Sequence, residues 1–99
     1  MAAEKESAQV KVIKGETASG FSFAIPASNL DNMELIDAIA SLNDADPLAM
    51  SKVIVLLLGK DQRKKLYDHV RRKDGTVPAE AVSKEMTEIF TLSNTAVKN

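Results

Sequence analysis

This chain predicts a mainly α-helical domain with a small N-terminal β-hairpin, an α+β arrangement in which about four helices pack as a compact bundle. Three observations lead there. Phe21-Ser22-Phe23-Ala24-Ile25 alternates apolar and polar residues, the period of a half-buried strand, and Val10-Lys11-Val12 does so more briefly, with Ile13 next to it. After Pro26 the apolar residues recur at three- and four-residue spacing instead, in segments punctuated by Asn43-Asp44-Ala45-Asp46-Pro47, Gly59 and Asp74-Gly75. With three Phe, one Tyr and no Trp, the core must be built from Leu, Ile, Val, Met and Ala, which pack well between helices.

The hairpin is expected over 9–25. Gly15-Glu16-Thr17-Ala18-Ser19-Gly20 is too long for a two-residue turn and suits a longer loop. A hairpin alone is not stable, so its Phe21/Phe23/Ile25 face must lie against helices. Pro26 ends the second strand. A helix follows at about 31–42, with Asn29 or Asp31 as its cap and Glu34 three residues after Asp31; Leu35, Ile39 and Leu42 form its stripe, with Ile36 beside them. Asp46 before Pro47 reads as N-cap and first helical position of the next helix, 47–58. Val53 to Leu58 is oily enough for a buried strand, but the Asp46 cap, Ala49-Met50 and the Gly59 stop favour a central helix. A helix over 61–73 places Leu66, Tyr67 and Val70 on one side. The last, 78–92, has Pro78 in its first turn and a stripe of Val82, Met86, Ile89 and Phe90. Residues 1–8 and 93–99 are polar and expected to be flexible, leaving a single domain over 9–92.

Composition removes several function classes. The 99 residues suit one domain, and the apolar fraction of 44% and charged fraction of 27% are ordinary for a globular protein. A net charge of −1 makes the chain as a whole a poor ligand for polyanions. Without cysteine there is no disulfide scaffold, thiolate metal site or thiol nucleophile, which suits a reducing cytoplasm. MAAEKESAQ has no apolar segment of the kind a signal peptide needs, and the longest oily run is far short of the roughly 20 residues that span a bilayer.

No pattern supplies a catalytic, cofactor or metal site. His69 is the only histidine, and its helical-spacing neighbours Asp61, Lys65 and Lys73 mark it as a surface residue rather than a base facing a nucleophile. Asp44 and Asp46 lack the Gly and terminal Glu of a calcium loop, and Gly15 with Gly20 lacks the Lys-Ser/Thr of a phosphate loop. From Lys60 to Lys73 there are seven Lys or Arg against Asp61 and Asp68. Arg63, Lys64, Arg71 and Arg72 form a basic patch that nucleic-acid phosphates would suit. It lies between acidic segments, five acids without a base over 31–46 and Glu80, Glu85 and Glu88 against Lys84 in the last helix, so a solvated, screened face is the stronger reading. Four apolar helices leave little polar covering, so some apolar surface is expected to serve a partner or self-association, with Met33, Met50 and Met86 making it adaptable. Leu57, Leu66, Tyr67, Val70, Val82, Met86, Ile89 and Phe90 are the candidate partner-binding residues.

Over roughly residues 20–92 the chain resembles the small tail assembly chaperones of long-tailed, siphovirus-type bacteriophages and prophages of Gram-positive bacteria. The resemblance rests on the FSFAIP strand, Asp31-Asn32-Met33-Glu34-Leu35, Leu57-Leu58-Gly59, Leu66-Tyr67-Asp68-His69, and Asp74-Gly75-Thr76-Val77-Pro78 with the helix after it. It implies a non-enzyme without cofactor that binds the tape measure protein, keeps it soluble in the host cytoplasm and leaves before the virion matures. It also implies self-association, and a longer frameshifted form reaching the tail tube subunit. The alternative reading is a small nucleic-acid-binding or regulatory protein using the basic helix 60–73.

Overall fold

Strands β1 (Val12–Glu16) and β2 (Ser22–Pro26) pair antiparallel in the computed structural model, which describes residues 11–42 and 47–98. Val10, the expected flexible segment 1–8, the 43–46 turn and the Asp46 cap lie outside the described residues. The register sets Ile13 opposite Ile25 and Gly15 opposite Phe23. As the alternation requires, Ile13, Phe21, Phe23 and Ile25 share the buried face. The loop closes where the Thr17 amide donates to the Phe21 carbonyl (2.9 Å) and the Gly20 amide to the Thr17 carbonyl (2.9 Å). Gly15 is required sterically: a Cβ there would stand 2.6 Å from Cζ of Phe23.

A single 3₁₀ turn, Ala27–Asn29, leads into α1 (Met33–Leu42). The cap is Asn32 rather than Asn29 or Asp31. Its Oδ1 accepts from the Glu34 amide (3.0 Å), and its carbonyl takes the first helical bonds from Leu35 and Ile36. The 3₁₀ turn takes up Asn29, and the Asp31 amide donates to the Ser28 carbonyl (3.2 Å), so the helix starts at Met33, two residues after the expected 31. The expected 31–42 helix is therefore shorter at its start.

Among the described residues the helices number three, not about four. The segments expected at 47–58 and 61–73 form one element, α2 (Pro47–Val70), because helical geometry resumes at once beyond Gly59 without an intervening loop. Gly59 alone departs, at φ 83° and ψ 165°, and divides α2 into limbs 47–58 and 60–70. Two side chains cover carbonyls beside this break: Asn29 Nδ2 donates to the Leu57 carbonyl (2.8 Å) and Gln62 Nε2 to that of Leu58 (2.8 Å). Gln62 also grips β2, accepting from the Ala24 amide (2.8 Å) and donating to the Ala24 carbonyl (2.7 Å). A glutamine thus takes the place of a third strand beside Ala24.

The second limb stops at Val70, not at 73. Arg72, Asp74 and Thr76 capture the backbone first: the Arg72 amide donates to the Thr76 carbonyl (2.8 Å), and Asp74 Oδ1 accepts from the Thr76 amide (3.0 Å) and hydroxyl (2.7 Å). Those two Thr76 donors hold the Asp74 carboxyl below its ordinary range. The last helix, α3 (Ala79–Lys98), runs past the expected end at 92 into the segment expected to be loose. Its hydroxyls fold back on the helix, Thr87 to the Ser83 carbonyl, Thr91 to that of Thr87 and Thr95 to that of Thr91, so these side chains bond within the helix instead of capping and ending it. Ser93 is fully buried there, and its hydroxyl has no hydrogen-bond partner among the described residues.

The core lies where the hairpin face, α1, both limbs of α2 and α3 converge: Phe21, Phe23, Ile25, Leu35, Val53, Ile54, Leu57, Leu66, Val82, Met86 and Ile89 are all buried in one cluster. The oily 47–58 segment is helical, as its flanks predict. Among the described residues no helix is long and apolar enough to cross a membrane.

Candidate functional site: an exposed apolar helix face

Most of the residues expected to meet a partner meet one another instead. Leu57, Leu66, Val82, Met86 and Ile89 are buried in the chain's own core, while Tyr67, Val70 and Phe90 are partly buried against it. A stripe at helical spacing reports that a face is covered but not what covers it. Tyr67 and Val82 do reach an open apolar groove of about 280 Å³, lined also by Met50, Ser51, Ile54, Val77 and Ala79.

The basic patch is drawn largely into local structure. Arg71 pairs with Asp68 (2.9 Å) and donates to the Gly75 carbonyl (2.7 Å), and Arg72 reaches the Thr76 hydroxyl (3.3 Å). Arg63 bridges the Gly59 break to the Ser51 hydroxyl (3.3 Å) and stands 6.0 Å over the Tyr67 ring, at the outer reach of a cation–π contact. Lys64 is exposed. Three of these four cations therefore brace α2 and its turn, which weakens the case for a phosphate-binding face.

His69 takes part in a polar cluster that local sequence could not reveal. Glu85 of α3, buried, accepts from the Thr17 hydroxyl (2.7 Å) and the Ser19 hydroxyl (2.9 Å), and Glu88 accepts from the Ala18 amide (2.6 Å). His69 Nε2 lies 2.9 Å from Ser19 Oγ, its ring 5.6 Å from that of Phe21. Since Ser19 gives its proton to Glu85, the imidazole donates to the hydroxyl. That order is the reverse of a relay in which a carboxylate orients a histidine and the histidine deprotonates a serine. The cluster ties the hairpin loop to α3 and to the end of α2. Replacing Glu85 with Gln takes the charged acceptor from both hydroxyls and sets an NH2 donor against one of them, and urea denaturation should show a loss of about 1 kcal/mol with an unchanged m value.

What remains open is apolar. Met33 is 65% exposed, Ile36 49% and Leu48 78%. Met33, Ile36 and exposed Ala40 lie at i, i+3 and i+7, one stripe on the outer side of α1, opposite buried Leu35 and Ala38. Leu48 stands across an open groove of about 210 Å³ between α1 and α2, lined by Asp37, Ala38, Ser41, Ala49 and Lys52 as well. α1 is thus apolar on two sides, one facing the core and one facing outward. Among the described residues no group of three or more His, Asp or Glu comes together in the manner of metal ligands. Compared with protein-family models, curated proteins and solved structures, the chain matches none.

Proposed function

We propose that this chain is a non-enzymatic assembly chaperone that binds apolar helices of a partner, and that the partner is a phage tape measure protein. The observation that carries the binding role is the outer face of α1, where Met33 and Ile36 stand exposed. The resemblance of the 20–92 segment order to tail assembly chaperones supplies the client. An unassembled, very long helical protein exposes apolar stripes that aggregate, and a short apolar helix face covers such a stripe by helix-against-helix contact. Fully burying a side chain of this size contributes about 1.5–3 kcal/mol. Two or three of them, set against the cost of association, give a weak single contact. Many copies along one client hold it soluble, yet each copy leaves when tube subunits arrive. The same reading places the protein in the bacterial host cytoplasm and outside the mature virion, with a longer frameshifted form contacting the tail tube subunit.

Co-expression tests this. The soluble fraction of the tape measure protein from the same genome should rise with the wild-type chain and rise much less with a Met33→Ser, Ile36→Ser double variant. A client no more soluble with the wild-type chain than without it sinks the proposal.

A further inference from the structure

The geometry points to a specific kind of helix for the α1 face: an amphipathic helix whose apolar stripe is edged on one side by Lys or Arg. This rests on the helix-binding function proposed above and names the chemistry of the client segment. Glu34 and Asp37 fall on the same flank of the Met33/Ile36/Ala40 stripe, the flank that also carries Ser41 and faces the groove toward Leu48. Asp31 stands exposed just before the helix. Arg71–Asp68 is the one ion pair among the described residues, so none of these three carboxylates is paired there. Among the described residues the only cation lining the groove is Lys52, on its α2 wall. The stripe therefore has an acidic edge on one side and partly buried Ile39 on the other.

Charge decides between occupants. A second copy laid antiparallel, α1 against α1, would bring Glu34 and Asp37 toward their own counterparts, and like charges placed together across an interface disfavour it; laid parallel, it would set them against the Ile39 flank, which offers no cation. A helix with acidic edges meets the same repulsion. A helix with Lys or Arg along one edge places each cation near a carboxylate while its Leu, Ile or Met residues cover Met33 and Ile36. The contact is rim-exposed, so charge sets which helices are chosen and how they are oriented more than how tightly they hold, and it weakens with salt.

Two synthetic helical peptides with the same Leu stripe, one edged by Lys and the other by Glu, separate the possibilities by fluorescence anisotropy against the full chain. The Lys-edged peptide should bind about tenfold more tightly at low salt, the effect expected of two or three exposed pairs. That preference should shrink in high salt and largely vanish in a Glu34→Gln, Asp37→Asn variant, which leaves the apolar stripe intact. Met33→Ser, Ile36→Ser should abolish binding of both peptides. Equal binding of the two peptides, or preference for the Glu-edged one, overturns the inference while leaving the chaperone role standing. A dimer seen in sedimentation that the Met33→Ser, Ile36→Ser variant dissolves also overturns it, by making a second copy the occupant. Failure of client solubilisation in the co-expression assay is a separate result and bears on the chaperone role itself.

Discussion

Phe23→Ala is expected to destabilise the protein by about 3–5 kcal/mol, the largest loss of any single substitution considered for this chain. Phe23 is buried on the hairpin face within the cluster that joins β2 to the helices. Its ring also covers Gly15 on the opposite strand, at the same register position. Truncation removes the apolar area and leaves a hole bounded by strand backbone on one side, which cannot collapse without breaking the pairing. For a domain of this size, each kcal/mol shifts the thermal midpoint by about 4–8 °C, so the variant should melt far below the wild type if it folds at all. The reciprocal change tests the same contact from its other side. Gly15→Ala puts a Cβ 2.6 Å from the ring, and overpacking of a core position costs about 1–3 kcal/mol. In a Phe23→Leu background the shorter side chain frees that space, so Gly15→Ala should then cost much less. Strict additivity of the two changes in denaturant unfolding would show that the ring and the glycine are not coupled.

The hairpin face was readable because alternation over Phe21 to Ile25 leaves one assignment, and burial of that face follows from the instability of a hairpin alone. The 47–58 helix was readable for a different reason: its flanks resolved what an oily run cannot. Other features depend on residues far apart in the chain. Glu85 meets Thr17 and Ser19, and Gln62 meets Ala24, through polar contacts that have no period and no local motif. Asn29 looked like a helix cap and is a cap of another sort, satisfying the Leu57 carbonyl beside a break it does not adjoin in sequence. The candidate site follows the same division. Met33 and Ile36 are visibly apolar in the sequence, but which apolar face of α1 stays open is decided by packing. Leu57, Leu66, Val82, Met86 and Ile89, the better stripes by spacing, were better because they make the core.

Gly59→Ala is expected to cost about 1–3 kcal/mol, and for a reason confined to the backbone. At φ 83° and ψ 165°, Gly59 occupies a region that is essentially closed to L-residues. No atom lies within 4 Å of where its Cβ would stand, so the loss does not come from a clash. Ala and Ser should therefore cost nearly the same, whereas D-Ala, introduced by chemical synthesis, should be tolerated, since positive φ is its ordinary region. An L-residue here also favours continuing the helix through the break, because Ala is the best helix former and glycine among the worst. A straightened α2 would turn the 60–70 limb relative to the 47–58 limb. That would draw Gln62 from Ala24 and from the Leu58 carbonyl, and part Asn29 from the Leu57 carbonyl. The variant should then show a lower melting temperature without a loss of helical circular dichroism, and faster amide exchange at Ala24, whose hydrogen-bond acceptor is the Gln62 side chain. A size-dependent series, with Ser clearly worse than Ala and D-Ala no better than either, would instead place the cost in packing and count against a backbone role for this glycine.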